Sequence, residues 1–291
     1  MSDITLINDS EQSSLVTNGL AKNGEMYLKK AGSTDAGSIV VYDSGVWKTF
    51  ANEGGAFTNG FSASMADLTD DHGSADLTGT NVMSGDFTLS VWYKAPQQAS
   101  YETILQNNYS LGQEGWGWMR TDFNGAVNGI AIYQSEPGQS NSYMNGFGYP
   151  GVTTSFQNNA WNHIMMSRTS TTLTLYVNGS SVGSGTTSLD FGVASLITAG
   201  QYRPDGGTFF DELAIWDSDQ SSNITQIRDT SGTNPVPGNL ASMSTKPVYW
   251  WRMGDDDSIG ATSITNNSQA TGGTLSLNLN NGAAVSTDVP S

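Results

Sequence analysis

The chain has 291 residues, with 27 acidic against 11 basic side chains, a net charge of −16 and no cysteine. Disulfides and thiolate metal sites are therefore excluded, and the charge repels both nucleic-acid phosphates and anionic membrane faces. No nucleic-acid partner is expected, and no membrane insertion either, because no run of 18 apolar residues occurs.

Thirty-four glycines, 36% apolar and 10% aromatic residues, with Thr, Ser and Asn between short apolar runs, predict many short strands joined by turns rather than helices. The first twelve residues, MSDITLINDSEQ, lack the basic start and apolar run of a secretory signal, so synthesis in a cytoplasm is expected. Residues 1–55 form a module of their own. Ile39 to Tyr42 and Val46 to Phe50 flank Asp43-Ser44-Gly45, read as a three-residue hairpin loop with glycine at the bulge position. Such a hairpin is marginal alone, which points to packing on a larger partner: an attachment or oligomerisation module, or a plain extension of the sheet.

From about residue 56 the alternation sharpens. In FTLSVWYKAP, Phe87, Leu89, Val91 and Tyr93 share one face and Thr88, Ser90, Trp92 and Lys94 the other, with Pro96 ending the strand. WNHIMMSRT and TLTLYVNGSSVGS follow as a pair, with Trp161 expected in the core and Leu173, Leu175 and Val177 inward. Asn178-Gly179 supplies a type I′ turn. One helical interruption is predicted at NITQIRD, with Asn223 as N-cap and Gln226 three residues on. The chain closes through PVYWWRM and the alternation TLSLNLNNGAAV. The expected architecture is an antiparallel jelly-roll β-sandwich over 56–291, closed by the C-terminal strand.

The ordered set FTLSVW, WNHI, LTLYVNG and FFDELAIWD followed by a short helix resembles the laminin-G-like and pentraxin-like branch of the concanavalin A-like lectin/glucanase jelly rolls, over residues 56–260. The ends, GEMYLKKAGSTDAGSIVVYDSGVWKTFANEGG and WWRMGDDDS with STDVP, resemble virion proteins of marine tailed phages. That second resemblance implies a virion protein made in the host cytoplasm, a homo-oligomer joined to other virion proteins through residues 1–55, serving as head decoration or in a tail fibre for host adhesion. A free lectin-like protein of a bacterium and a divergent polysaccharide hydrolase or lyase are the alternatives.

The stretch GGTFFDELAIWDSD carries four carboxylates among large apolar residues. Asp211 and Asp217 share a face but stand six residues apart, about 20 Å at ~3.3 Å per residue, whereas glycoside hydrolysis needs carboxyls about 5–10 Å apart. Glu212 is assigned to the opposite face. No nucleophile elbow, phosphate loop or zinc pattern occurs, and His163 reads as a packed residue, so a non-enzymatic protein is expected. The family resemblance implies calcium at a rim, with Asp67, Asp70, Asp71 and Asp211 as candidate ligands among oxygen-rich loops. For a host surface glycan the candidates are Trp116, Trp118, Tyr143, Tyr149, Tyr202 and Arg203. They surround a long Tyr/Ser/Gly/Asn loop, the palette of adaptable recognition surfaces. Packing of Trp116 and Trp118 on the sheet, at strand spacing, is the competing reading.

Overall fold

A computed structural model divides the chain into two compact units, residues 1–58 and 59–291. It describes strand segments 5–7, 26–29, 39–43 and 46–50 of the first. Of the second it describes residues 59–65, 71–96, 102–107, 115–120, 129–135, 142–143, 147, 152–191, 196–200, 207–255, 257 and 260–290.

In the first unit four strands form one sheet in chain order. Thr5–Ile7 runs parallel to Met26–Lys29, and the other pairings are antiparallel. The hairpin ladder reaches the pair Asp43 and Val46, so two residues separate the strands where three were expected. Asp43 can continue the ladder, and the shorter connection is the one whose twist suits a hairpin.

The second unit stacks two antiparallel sheets. One contains, in order, Ser180–Thr186, Thr172–Val177, Asn162–Thr169, Phe87–Lys94, Thr208–Trp216, Ser62–Met65 and Ala284–Ser286, with Tyr249–Trp251 also paired to Thr208–Trp216. The other runs Ser142–Tyr143, Gly129–Ser135, Gly115–Arg120, Glu102–Asn107, Leu196–Ala199, His72–Asp76, Leu277–Asn280 and Ser263–Ile264, with Val152–Thr153 paired to Gly129–Ser135. The core lies between them. Phe87, Leu89, Val91, Tyr93, Leu173, Leu175 and Val177 point into it from the first sheet, as their alternation predicts, and Ile104, Trp116, Trp118, Ile130 and Ile132 meet them from the second. A polar pin crosses this core: the Tyr93 hydroxyl donates to Glu102, which also accepts from Thr208 Oγ1 at 2.8 Å. Burial and the Glu102 charge hold the Tyr93 hydroxyl well above its ordinary pKa, so it stays a donor.

Two local expectations hold. Asn178 and Gly179 both have positive φ, 50° and 84°, the requirement of a type I′ turn. His163 is fully buried. Two others change. The closing alternation is two strands that part after Asn280 and join different sheets, Leu277–Asn280 beside His72–Asp76 and Ala284–Ser286 beside Ser62–Met65. Asn223 caps nothing; its Nδ2 donates to Gln220 Oε1 at 2.8 Å, and the helix Ile224–Ile227 is entered through a 3₁₀ turn whose Ser221 N–H donates to Asp219 Oδ1.

The face of the first sheet turned away from the core is also covered. Thr88, Ser90 and Trp92 are all buried, although they alternate with core residues. Residues 217–238 run over them: Thr88 Oγ1 donates to Ser218 O at 3.0 Å and accepts from Gln220 N at 2.7 Å. Gly238 fixes the return of this segment, because a Cβ there would stand 1.6 Å from Gln226 O.

Candidate functional site

Where that covering segment stops, a cavity of about 290 Å³ opens on the outer face of the first sheet. Trp92, Trp161, Arg228 and Pro235 wall it; Arg228 begins the segment Arg228–Asp229, which pairs with Val236–Pro237, and Pro235 immediately precedes that partner. Asn178, in the type I′ turn, and Ser155 and Gln157, in the segment leading to Trp161, complete the rim.

A side-chain network makes the rim rigid. Asn178 accepts from His163 N at 3.0 Å and donates to Asn162 Oδ1 at 3.0 Å and Ser155 O at 3.3 Å. Asn162 in turn donates to Gln157 O and Ala160 O and accepts from Gln157 N at 2.9 Å. The turn and the 155–160 segment are thus tied to the same strand end. Trp161 is partly exposed; its indole N–H donates to Asp288 Oδ1 at 3.0 Å and its ring lies 6.3 Å from Phe209. It is a cavity wall rather than the core residue expected from its strand. Trp92 packs on His163 at 5.4 Å between ring centroids, and His163 Nε2 is bonded to Ser90 Oγ at 2.8 Å. Burial, reinforced by the Arg228 charge, pushes the His163 pKa down to about 3, so the imidazole is neutral.

Arg228 is the cation of the site. Its guanidinium lies against the turn, where a Cβ on Gly179 would meet Nη1 at 3.2 Å. Its Nε is buried without a hydrogen-bond partner, and burial lowers its pKa. Among the described residues no carboxylate lines the cavity.

The residues predicted from sequence fall elsewhere. Trp116 and Trp118 are wholly buried in the core between the sheets, 6.1 Å apart and tilted, with Trp118 Nε1 donating to Met166 Sδ at 3.1 Å. Their rings are spent on packing, which corrects their assignment to a glycan. Tyr143 is described only as part of a strand, and Tyr149, Tyr202 and Arg203 lie outside the described residues, as do Asp67 and Asp70. Asp71 is buried beside the turn at Gly282, next to the second sheet, whereas Asp211 belongs to the first and accepts from Asn59 Nδ2 at 2.8 Å. Among the described residues no three acidic or histidine side chains gather as metal ligands.

Asp211 and Glu212 differ from expectation in a second way. The ladder shifts register between Asp211 and Ala214, and Glu212 has φ 49°. Phe210 and Leu213 therefore both face the core, and the two intervening carboxylates share the outer face. A β-bulge of this kind inserts one extra residue and re-aims its neighbours. Glu212 accepts from the Trp250 indole and from Arg252 Nε at 3.2 Å, while Arg252 Nη2 donates to Asp255 Oδ2 at 2.9 Å. Burial pushes the Glu212 pKa up to about 8, and burial together with the Glu212 charge holds Asp211 well above the carboxylate range. Neither lines the cavity. Asp217, the other carboxylate once paired with Asp211, is exposed beyond the strand end.

The site residues missed by sequence reasoning are Trp92, Trp161, Asn178 and Arg228. The available signal was Trp92 itself, a large aromatic assigned to the face turned away from the core.

Residues 69–223, just over half the chain, match the family described as the concanavalin A-like lectin/glucanases superfamily. No curated protein matches. Among solved structures, the native heptameric pentraxin of Limulus polyphemus is 14% identical over 66% of this chain and 93% of its own, with a TM-score of 0.42. The binding domain of botulinum neurotoxin DC, in complex with SialylT, is 11% identical over 69% of this chain and 53% of that one, TM-score 0.40. The carbohydrate-binding module of the Ruminococcus gnavus IT-sialidase, bound to α2,3-sialyllactose, is 9% identical over 55% of this chain and 94% of that one, TM-score 0.39.

Proposed function

Since this chain belongs to the concanavalin A-like lectin/glucanases superfamily, we propose that it is a non-enzymatic glycan-binding protein whose site is the cavity between Trp92, Trp161, Asn178 and Arg228. The observation that carries this is the pairing of a partly exposed tryptophan wall with a rigid polar rim. A sugar ring has an apolar face and a hydroxylated edge; an indole takes the first, and amide and hydroxyl groups the second. Gln157 and Ser155, exposed at the rim, have side-chain polar atoms free for hydroxyls. The volume, near the low end of the ~300–1,000 Å³ of small-molecule sites, suits one ring or a chain end. Hydrolysis would require two carboxyls about 5–10 Å apart across the bond, and the described lining residues include none. The test is a glycan array followed by calorimetric titration of the best ligand. Binding is expected for the native chain and a loss of roughly 30-fold for Trp161→Ala, the effect of truncating an aromatic anchor. Undiminished binding by that variant would move the site elsewhere.

We propose further that residues 1–55 attach the sandwich to a phage particle and to copies of itself. Support comes from the phage-like ends of the sequence and from the separate four-stranded sheet of residues 1–58. Immunogold labelling of source particles tests it: label on the head indicates a decoration protein, label on tail fibres a receptor-binding one, and unlabelled particles refute the assignment.

A further inference from the structure

We infer that the ligand of this cavity is an acidic sugar, bearing a carboxylate or a sulfate ester that pairs with Arg228. The inference rests on the glycan-binding reading above and names its ligand class.

The charge inventory comes first. With 27 acidic side chains to 11 basic ones, a cation in this protein has many anions to choose from. Six Lys and Arg side chains lie among the described residues of the sandwich, and five of them have protein partners. Lys94 pairs with Asp288 at 2.5 Å, and Arg252 with Glu212 and Asp255. Arg120 donates to Pro96 O at 2.5 Å and to Asn158, Arg168 to Ser170 O and Leu189 O, and Lys246 to Gln269 Oε1 at 3.1 Å. Of these six, Arg228 alone has neither a hydrogen bond nor an ion pair. It is also partly withdrawn from water, with Nε fully buried.

Such an arrangement is costly for a folded protein on its own. At the buried Nε this partly exposed cation gives up hydration and recovers no hydrogen bond in return. The guanidinium remains charged, because an arginine stays protonated across the whole range of protein conditions. An anion from outside would supply the missing partner, and the planar fork of an arginine matches the two oxygens of a carboxylate or sulfate.

The surroundings agree. Trp161, partly exposed and with Trp92 beside it in the lining, offers the ring a surface, while among the described residues neither an acidic side chain nor a second cation lines the cavity. His163, which packs on Trp92 below it, is neutral. An anion thus meets one positive charge among the described lining residues, and the nearby Asp288 carboxylate is offset by its ion pair with Lys94. The overall negative charge does not forbid this, since exposed charges are largely screened beyond about 8–10 Å at physiological ionic strength.

The test uses the full chain on an array carrying uronate and sialylated glycans, sulfated galactans, and neutral glucans and galactans. Binding is expected on acidic spots alone; uronate or sialylated spots would identify a carboxylate, sulfated galactans a sulfate ester. Arg228→Gln should weaken the best acidic ligand roughly 30-fold or more, as expected when one member of a desolvated ion pair is removed, without changing the melting temperature by more than a few degrees. Arg228→Lys keeps the charge without the fork and should recover part of the affinity. If Arg228→Gln does not fold, salt dependence of the native chain replaces it: affinity for the acidic ligand should fall severalfold between low and high sodium chloride. Neutral glycans bound as well as acidic ones, or salt-independent binding, would overturn the role of Arg228 while leaving the glycan site standing. No glycan bound by the native chain would overturn both.

Discussion

Trp118 and Trp161 exchange the roles that a reading of exposed aromatics assigns them, and replacing each by alanine separates folding from binding. The Trp118 ring spans the interior, donating to Met166 of the opposite sheet at 3.1 Å, and no part of it reaches solvent. An aromatic side chain of this kind buries about 150–250 Å², which at about 25 cal/mol per Å² is worth roughly 4–6 kcal/mol. Partial burial in the unfolded chain lowers that figure, and the cavity left behind restores some of it, so Trp118→Ala should cost about 3–5 kcal/mol. For a domain of this size each kcal/mol moves the melting temperature by about 2–4 °C, giving a fall of roughly 6–20 °C. Trp161 loses one hydrogen bond, to Asp288, and a contact with Phe209 from a partly exposed position; its replacement should cost only about 1 kcal/mol. Sugar affinity, titrated well below both melting temperatures, should show the reverse order: within about twofold of native for Trp118→Ala and reduced roughly 30-fold for Trp161→Ala. A stable Trp118→Ala protein that fails to bind would refute the placement of both residues.

The pKa values of the buried groups define two limbs of a stability profile. Glu212, raised from the ordinary carboxylate range to about 8 by burial, binds its proton more tightly in the fold, so stability is full below pH ~4.5 and declines as pH rises through 8, at up to about 1.4 kcal/mol per unit. Glu212→Gln should flatten that limb in calorimetric scans; an unchanged slope would exclude Glu212 as its source. His163, lowered to about 3, acts in the opposite sense: its contribution is present above pH ~6.5 and is lost as pH falls toward 3, and His163→Gln should flatten the acid limb. Gly238→Ala forces a Cβ onto Gln226 O, so thermal stability and ligand affinity should both drop because the segment carrying Arg228 and Pro235 is displaced; a native-like variant would show that this segment does not build the site. A chain lacking residues 1–58 should retain a cooperatively melting sandwich, since residues 59–291 form a compact unit of their own; an unfolded product would refute that independence.

What could be read from the chain alone was whatever depends on neighbouring residues. The alternation of Phe87, Leu89, Val91 and Tyr93 marks an inward face because strand side chains repeat every two residues, and Asn178-Gly179 marks a turn because few other pairs accept two positive φ values. The same periodicity leaves open which face is covered twice. Thr88, Ser90 and Trp92 alternate with core residues and yet are buried, because residues 217–238 return over them from more than a hundred positions away. Alternation likewise puts Trp116 and Trp118 on one face without saying whether that face is dry, and only the second sheet's stacking on the first settles it. The register shift at Asp211 has no local signature, and it alone turns Glu212 outward beside its neighbour. The cavity is the extreme case: Trp92, the segment from Gln157 to Trp161, Asn178 and Arg228 lie far apart along the chain, and their chemistry becomes a site only when the sheet and its covering segment bring them to one edge.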